Sequence, residues 1–138
     1  MLPSQAQARE FAERYTAAWC SQNAEHVAGF FAPDGSLTIN NGVPSVGRAA
    51  IAEAARSFMT AFPDLKILMD DVRTNASRVE YHWTLVGTNT APAGTGNRVR
   101  ISGFESWRFS EEALIAESIG SFDAADYEQQ LRGAEGSG

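Results

Sequence analysis

Phe11, Tyr15, Ala18 and Trp19 recur at helical spacing near the start of the chain, which predicts an amphipathic first helix running to about Ser21. Ser4, with Gln7 three residues on, has the form of a capping box and sets where that helix begins. Asn23 can cap a short second helix with Val27, Phe30 and Phe31 on its apolar face, and Pro33-Asp34-Gly35 should turn the chain out of it. Leu37, Thr38 and Ile39 suit a short strand closed by Asn40-Asn41-Gly42. Ile51, Ala55, Phe58, Met59 and Phe62 then return to helical spacing, and Pro63 stops this third helix.

Beyond Pro63 the period changes to two. Leu65 to Arg73 reads as a strand and Asn75-Ala76 as a turn; Val79, Tyr81, Trp83 and Leu85 then alternate with Glu80, His82, Thr84 and Val86. Ala91 to Asn97 reads as a hairpin loop, whose glycines are no phosphate cradle because a strand follows them rather than a helix. Val99 to Phe109, a Ser110-Glu111-Glu112 turn and a last strand from Leu114 to about Phe122 complete the pattern. Helices first and strands afterwards predict an α+β fold, with three N-terminal helices packed on a curved, mostly antiparallel sheet. One domain is expected over residues 1–132, with a disordered Gly/Ser/Ala/Glu tail over 133–138.

Composition narrows the function. A chain of 138 residues can bury a core without staples. Its net charge of −6, with no offsetting Lys/Arg cluster, repels phosphate backbones and argues against nucleic acid as a partner. No apolar run reaches the roughly 18 residues of a membrane span, and no basic-then-apolar leader is visible at the N-terminus, so the expectation is a cytoplasmic protein without a membrane partner. Cys20 stands alone next to Trp19 and reads as a packed thiol. Two histidines without ligand spacing and one cysteine give no metal motif.

Alternation decides which polar side chains face inward. Glu105 shares its face with Val99, Ile101, Gly103, Trp107 and Phe109, while Arg100, Ser102, Phe104, Ser106 and Arg108 take the other. A carboxylate among Trp and Phe loses solvation, which raises its pKa and suits it to acid–base chemistry on a carbonyl compound. The plainer alternative is a Glu satisfied structurally by Tyr15 or by an arginine. Tyr15, on the helical face that covers the sheet, needs a buried partner for its hydroxyl, and Glu105 is the natural one. Trp19, Phe31, Phe58, Phe62, Trp83 and Trp107 also fall on inward faces, where they serve as core or as cavity wall. His82 lies on the polar face as a surface or interface residue. Of Asp70 and Asp71 only one can point inward, and Arg73 has the parity to pair with Asp71. Asp64 and Asp123 read as capping or turn residues.

Four stretches carry a resemblance: Phe62-Pro63-Asp64-Leu65; Trp83-Thr84-Leu85-Val86-Gly87-Thr88; Gly47-Arg48-Ala49-Ala50-Ile51 before them; and Asp123 to Gln130-Leu131 after them. Together they resemble the SnoaL-like branch of the nuclear-transport-factor-2-like superfamily over residues 4–132. The resemblance implies a cone that wraps its sheet around a deep apolar pocket, a homodimer paired through the outer sheet face, and chemistry without metal or cofactor. One such cone hosts cyclases, isomerases, dehydratases and plain binders. Arg100-Ile101-Ser102-Gly103 looks like the family's entry into its penultimate strand. That register places Glu105 and Trp107 at polar pocket positions, and Gly120 where the polyketide cyclases keep an acid/base aspartate. Glu13-Arg14-Tyr15 and Glu105-Ser106-Trp107-Arg108-Phe109 resemble the ketosteroid isomerase segments that bear its two oxyanion donors, while the place of that enzyme's base falls on Asn40 or Asn41. Neither a glycine nor an amide can take the proton.

Two functions remain, with a bland third. An enzyme would use Glu105 to handle protons, Tyr15 and Asn41 to hold an oxygen, and Trp19, Phe58, Phe62, Trp83 and Trp107 as walls around an apolar carbonyl substrate. A binding or carrier domain would use the same cup for an apolar polycyclic ligand. An interaction-only protein would have a filled core and a cavity well under the few hundred cubic ångströms of ligand pockets.

Overall fold

The computed structural model describes residues 3–75, 77–90 and 94–132. Its elements are α1 (Gln5–Cys20), α2 (Ala24–Ala28), β1 (Phe31–Ile39), β2 (Ser45–Val46), α3 (Arg48–Ala61), β3 (Lys66–Asn75), β4 (Arg78–Thr88), β5 (Arg98–Phe109), β6 (Ile115–Phe122) and α4 (Ala124–Arg132). The six strands form one curved, unclosed sheet in the order β2-β1-β6-β5-β4-β3, with helices packed against it. Only β1 and β6 pair in parallel; every other neighbour is antiparallel.

Local chemistry explains the element ends. The Ser4–Gln7 capping box is present in both directions, and Asn23 caps α2 through the His26 amide. α1 also seals the free edge of β3. Gln5 donates to the Val72 carbonyl and accepts from the Thr74 amide, and Gln22, just past the helix, donates to the carbonyl of Leu65, just before the strand. The Cys20 thiol bridges the Ile67 amide and carbonyl. An edge strand thus has its open hydrogen-bonding groups covered.

Four sequence expectations are corrected. Pro33-Asp34-Gly35 is no turn: α2 ends at Ala28, Phe31 starts β1, and those three residues lie inside that strand. The pairing of β1 with β6 shifts register between Phe31 and Ser36, so the turn-forming residues sit in the irregular stretch. Gly35 is needed there, because a Cβ would lie 2.8 Å from the Ile115 carbonyl oxygen. Second, Asp123 introduces a true fourth helix beyond the three expected, its side chain capping α4 through the Asp126 amide. Gln130 on α4 both accepts from the Arg100 amide and donates to the Arg100 carbonyl, replacing the ladder where β6 stops short of that end of β5. Third, neither Asp70 nor Asp71 points inward. A register shift between Met69 and Asp71 inserts one residue, so Leu68 and Asp71 lie opposite the outward-facing Thr84 and His82. Fourth, Leu114 lies in the turn before β6 rather than on the strand. The expected Ala76 turn position, the Ala91–Ala93 part of the hairpin loop and the 133–138 tail lie outside the described residues.

The core fills the concave side of the sheet. Tyr15, Phe31, Ile51, Phe62, Leu65, Val79, Tyr81 and Trp107 are all essentially inaccessible there. Among the described residues no helix is long and apolar enough to cross a membrane.

Candidate functional site

β5 carries Glu105 on the concave face, directly opposite Tyr81 of β4 on one side and Gly120 of β6 on the other. The residue is 8% exposed, and among the described residues no basic side chain pairs with it. Three neutral donors converge on one carboxylate oxygen. The Trp107 Nε1–H donates to Oε1 over 2.8 Å, Ser118 Oγ over 2.8 Å and the Tyr15 hydroxyl over 3.1 Å. Oε2 has only the same Tyr15 hydroxyl, at 3.2 Å. One oxygen is therefore saturated and the other keeps spare accepting capacity.

Burial sets the proton affinities. Loss of solvent pushes the Glu105 carboxyl above the ordinary carboxylate range, while the hydrogen bonds from Trp107, Ser118 and Tyr15 pull it back. Burial raises the Tyr15 phenol further still, and the Glu105 charge adds to that. Tyr15 is thus fixed as a donor at any ordinary pH. Behind the carboxylate the rings of Tyr81 and Trp107 stack at 4.9 Å, and Tyr15 meets Trp107 edge-on at 5.2 Å. Tyr81 spends its own hydroxyl on Thr16.

In front of Glu105 is a cavity of about 60 Å³. Trp19 and Phe58 form one wall, Tyr81 and Trp83 the next, and Phe122, Gly120 and Ser121 another, with Leu37, Ile39, Ile67, Leu85 and Ile101 filling the gaps. The exposed surface is almost wholly apolar, Glu105 included. Trp83 owes its seat to Gly103: a Cβ there would lie 2.7 Å from Trp83 Cζ2 and 2.4 Å from the Ser121 carbonyl oxygen. The volume is small against the roughly 300–1,000 Å³ of ordinary ligand sites. It admits a few atoms, not a polycyclic molecule, and by the volume criterion it counts toward the filled-core reading.

The structure brings together some of the residues named from sequence. Trp19, Phe58, Trp83 and Glu105 line the cavity. Tyr15 and Trp107 stand behind Glu105, holding it rather than meeting a ligand. Two expectations are corrected. Asn41 is exposed in the turn after β1, with φ of 61°, and holds no oxygen in the cavity; its neighbour Asn40 is spent accepting from the Phe122 amide. Phe62 is buried but packs against Gly87 and Tyr127, away from the cavity lining. Sequence reasoning missed Ser118 as a Glu105 donor. The β5–β6 register, which seats Ser118 opposite Trp107, was the signal that would have found it. Among the described residues no group of three or more His, Cys, Asp and Glu is placed to hold a metal ion.

Comparison with known proteins supplies the rest. The family model described as SnoaL-like polyketide cyclase matches residues 9–131. No curated protein matches the chain. Among solved structures, one similar in shape is a protein of ketosteroid isomerase-like fold from Catenulispora acidiphila DSM 44928, in complex with trimethylamine. It has 15% identity and a TM-score of 0.78, covering 88% of this chain and 92% of that one. TsrD from Streptomyces laurentii has 18% identity and a TM-score of 0.81, over 96% of this chain and 99% of that one. The epoxide hydrolase/cyclase-like enzyme SalBIII, of pyran ring formation in the polyether salinomycin, has 17% identity and a TM-score of 0.76, over 89% and 95% respectively. At these identities the likeness is one of fold.

Proposed function

The chain belongs to the SnoaL-like polyketide cyclase family, and from that premise we propose that it is a cofactor-free acid/base enzyme in which Glu105 exchanges a proton with an apolar carbonyl compound. The observation that carries this reading is the carboxylate itself. Glu105 is buried, has no counter-ion, has its affinity for protons raised by burial, and borders an apolar cavity with one oxygen under-used. A core filled for stability alone gains little from such a group, since burying a carboxyl is costly even where neutral donors answer it. The cavity admits the reacting end of the substrate, and the remainder lies in the mouth, where Phe58, Trp83 and Phe122 are only partly buried. Tyr15, Trp107 and Ser118 position the carboxylate and do not touch substrate.

The test is hydrogen–deuterium exchange at the α-carbon of 2-cyclohexenone, followed by NMR in D₂O. Catalysed exchange should show a pH limb above the ordinary Glu pKa of about 4.3 and should vanish in Glu105→Gln. Exchange that survives that substitution overturns the reading.

A second reading, binding without turnover, draws on the trimethylamine held in a protein of like fold, and the small cavity restricts it to a compact ligand in place of the polycyclic one expected. Here 2-cyclohexenone or trimethylammonium would bind with no catalysed exchange. We also propose a homodimer through the convex sheet face. Leu68 on β3, Phe104 on β5 and Ile119 on β6 leave 38–42% of their surface exposed there, and Val86 on β4 is half-buried. Light scattering should give twice the chain mass, and Phe104→Glu should give the monomer.

A further inference from the structure

Trp19, Tyr81, Trp83, Glu105 and Ser121 all carry polar side-chain atoms to the border of the cavity, yet the surface they show it is almost wholly carbon. The fold turns those atoms elsewhere. Both Glu105 oxygens accept from Tyr15, and Oε1 also accepts from Trp107 and Ser118, on the side away from the cavity. The Tyr81 hydroxyl goes to Thr16. Trp83 Nε1 is buried without a hydrogen-bond partner among the described residues, so its ring meets the cavity through carbon. A buried water needs about two to four polar partners, and this surface supplies none. Such a cavity stays dry, and its walls forgo the dispersion contacts that a guest would restore. A carbonyl oxygen placed inside would give up its bonds to water with no donor to replace them.

We infer that the cavity is a hydrocarbon site: it takes a compact group of a few carbons, free or as the end of a larger ligand, and leaves any oxygen at the mouth. This rests on the binding reading above and names its ligand class; nothing in it depends on proton transfer at Glu105. Volume sets the scale, since about 60 Å³ admits only a few atoms. Gly120 sets the limit. It borders the cavity from β6, directly opposite Glu105, and a Cβ there would meet nothing closer than 3.6 Å. A methyl group at that position would therefore stand in the open space without straining the sheet, and would take the room that a ligand carbon otherwise fills. The absence of a side chain at Gly120 is thus a determinant of which ligand fits, not a requirement of the backbone.

Isobutene and acetone have the same shape and differ at one position, a methylene carbon against a carbonyl oxygen. Each is titrated into protein labelled with ¹³C at its methyl groups, with Leu37, Leu85 and Ile101 reporting from the wall. Isobutene should shift these methyls saturably and bind at least about tenfold more tightly than acetone, whose oxygen finds no partner inside. Gly120→Ala should weaken isobutene at least about fourfold, the worth of one buried methylene, while the rest of the methyl spectrum stays native. Acetone that shifts the same methyls with an affinity within about twofold of isobutene's overturns the inference and leaves the binding reading standing. So does a wall that answers to 2-cyclohexenone but not to isobutene. If none of the three compounds moves those methyls, the binding reading itself fails and takes the hydrocarbon site with it. An isobutene affinity unchanged in Gly120→Ala removes Gly120 as the residue that sets the limit. The wild-type titrations decide the ligand class alone should Gly120→Ala not fold.

Discussion

Glu105 and Asp71 lie on the same sheet, two strands apart, and their carboxyls are pushed in opposite directions. Glu105 is on the concave face, where burial drives its proton affinity up and only neutral groups answer it. Asp71 is on the convex face, where Arg73 donates to it over 2.6 Å and its proton affinity falls. The same division runs across the whole sheet. The convex face pairs charges with one another: Arg78 with Glu117 and Arg73 with Asp71. Among the described residues the concave face holds one buried acid and gives it no counter-charge. Charge on the outer face serves solubility and pairing, worth little apiece. The acid on the inner face is answered by hydrogen bonds from neutral groups alone.

The sharpest way to break this contrast is to remove adjacent side chains that the strand sends to opposite faces. Trp107 is fully buried, stacked on Tyr81 and in edge contact with Phe11, Tyr15 and Phe109. Its replacement by Ala should cost about 3–5 kcal/mol and, by removing a Glu105 donor, loosen the carboxylate as well. Arg108, the next residue, is 56% exposed and 3.9 Å from Glu117. Arg108→Ala should change stability by about 0.5 kcal/mol or less. Urea unfolding of the two variants against the parent protein checks both figures. Comparable losses would mean the two faces are not the different environments described.

A finer cut separates two glycines on the concave face. Gly103 has no room for a methyl group, with the Ser121 carbonyl 2.4 Å and Trp83 Cζ2 2.7 Å from where it would sit. At Gly120 the nearest atoms are 3.6 Å away, an ordinary contact, one of them Glu105 Cγ. Gly103→Ala should therefore cost about 2–3 kcal/mol through a displaced strand and indole. Gly120→Ala should be neutral within about 1 kcal/mol. Thermal unfolding gives the ranking, and a tolerant Gly103 would show that Trp83 is not held by the sheet as described.

Much of this was legible in the sequence because strand alternation is a short-range rule. Period two put Glu105, Trp107 and Phe109 on one face of β5 and Arg100, Phe104 and Arg108 on the other, and that is where they lie. Helical spacing located α1, with its capping box, and α3, which ends before Pro63. What failed depends on neighbours distant in the chain. Pro33-Asp34-Gly35 has turn chemistry, yet parallel pairing with β6 draws it into a strand. The extra residue beside Asp70 is invisible until β3 is laid against β4. α4 buries no residue fully and is held instead by Tyr127 on Phe62 and Phe122 and by Gln130 on Arg100. Alternation also cannot tell a cavity wall from the core. Trp83 and Trp107 share an inward parity, and only the opposing glycine and the sheet's curvature put one beside open space and the other beneath a carboxylate.

The smallest effects are those of pH, and they carry opposite signs on the two faces. Glu105 binds its proton more tightly folded than unfolded. Its contribution to stability is therefore complete below the ordinary Glu pKa of about 4.3 and is lost as pH rises through the folded value. Glu105→Gln cannot lose a proton, so its stability relative to the parent protein should improve as pH climbs through that window, by about 1.4 kcal/mol for each unit separating the two pKa values. Asp71 binds its proton less tightly folded, because Arg73 favours the charged form. Its contribution is present above the ordinary Asp pKa of about 3.9 and disappears as pH falls through the folded value. Asp71→Asn should thus differ from the parent only above that window, weakly, and less as salt is added. Urea titrations from pH 3 to 8 on the two variants separate the cases. Curves that bend the same way would mean that Glu105 is answered by a charge after all, and the concave face would lose the property that marks it as the site.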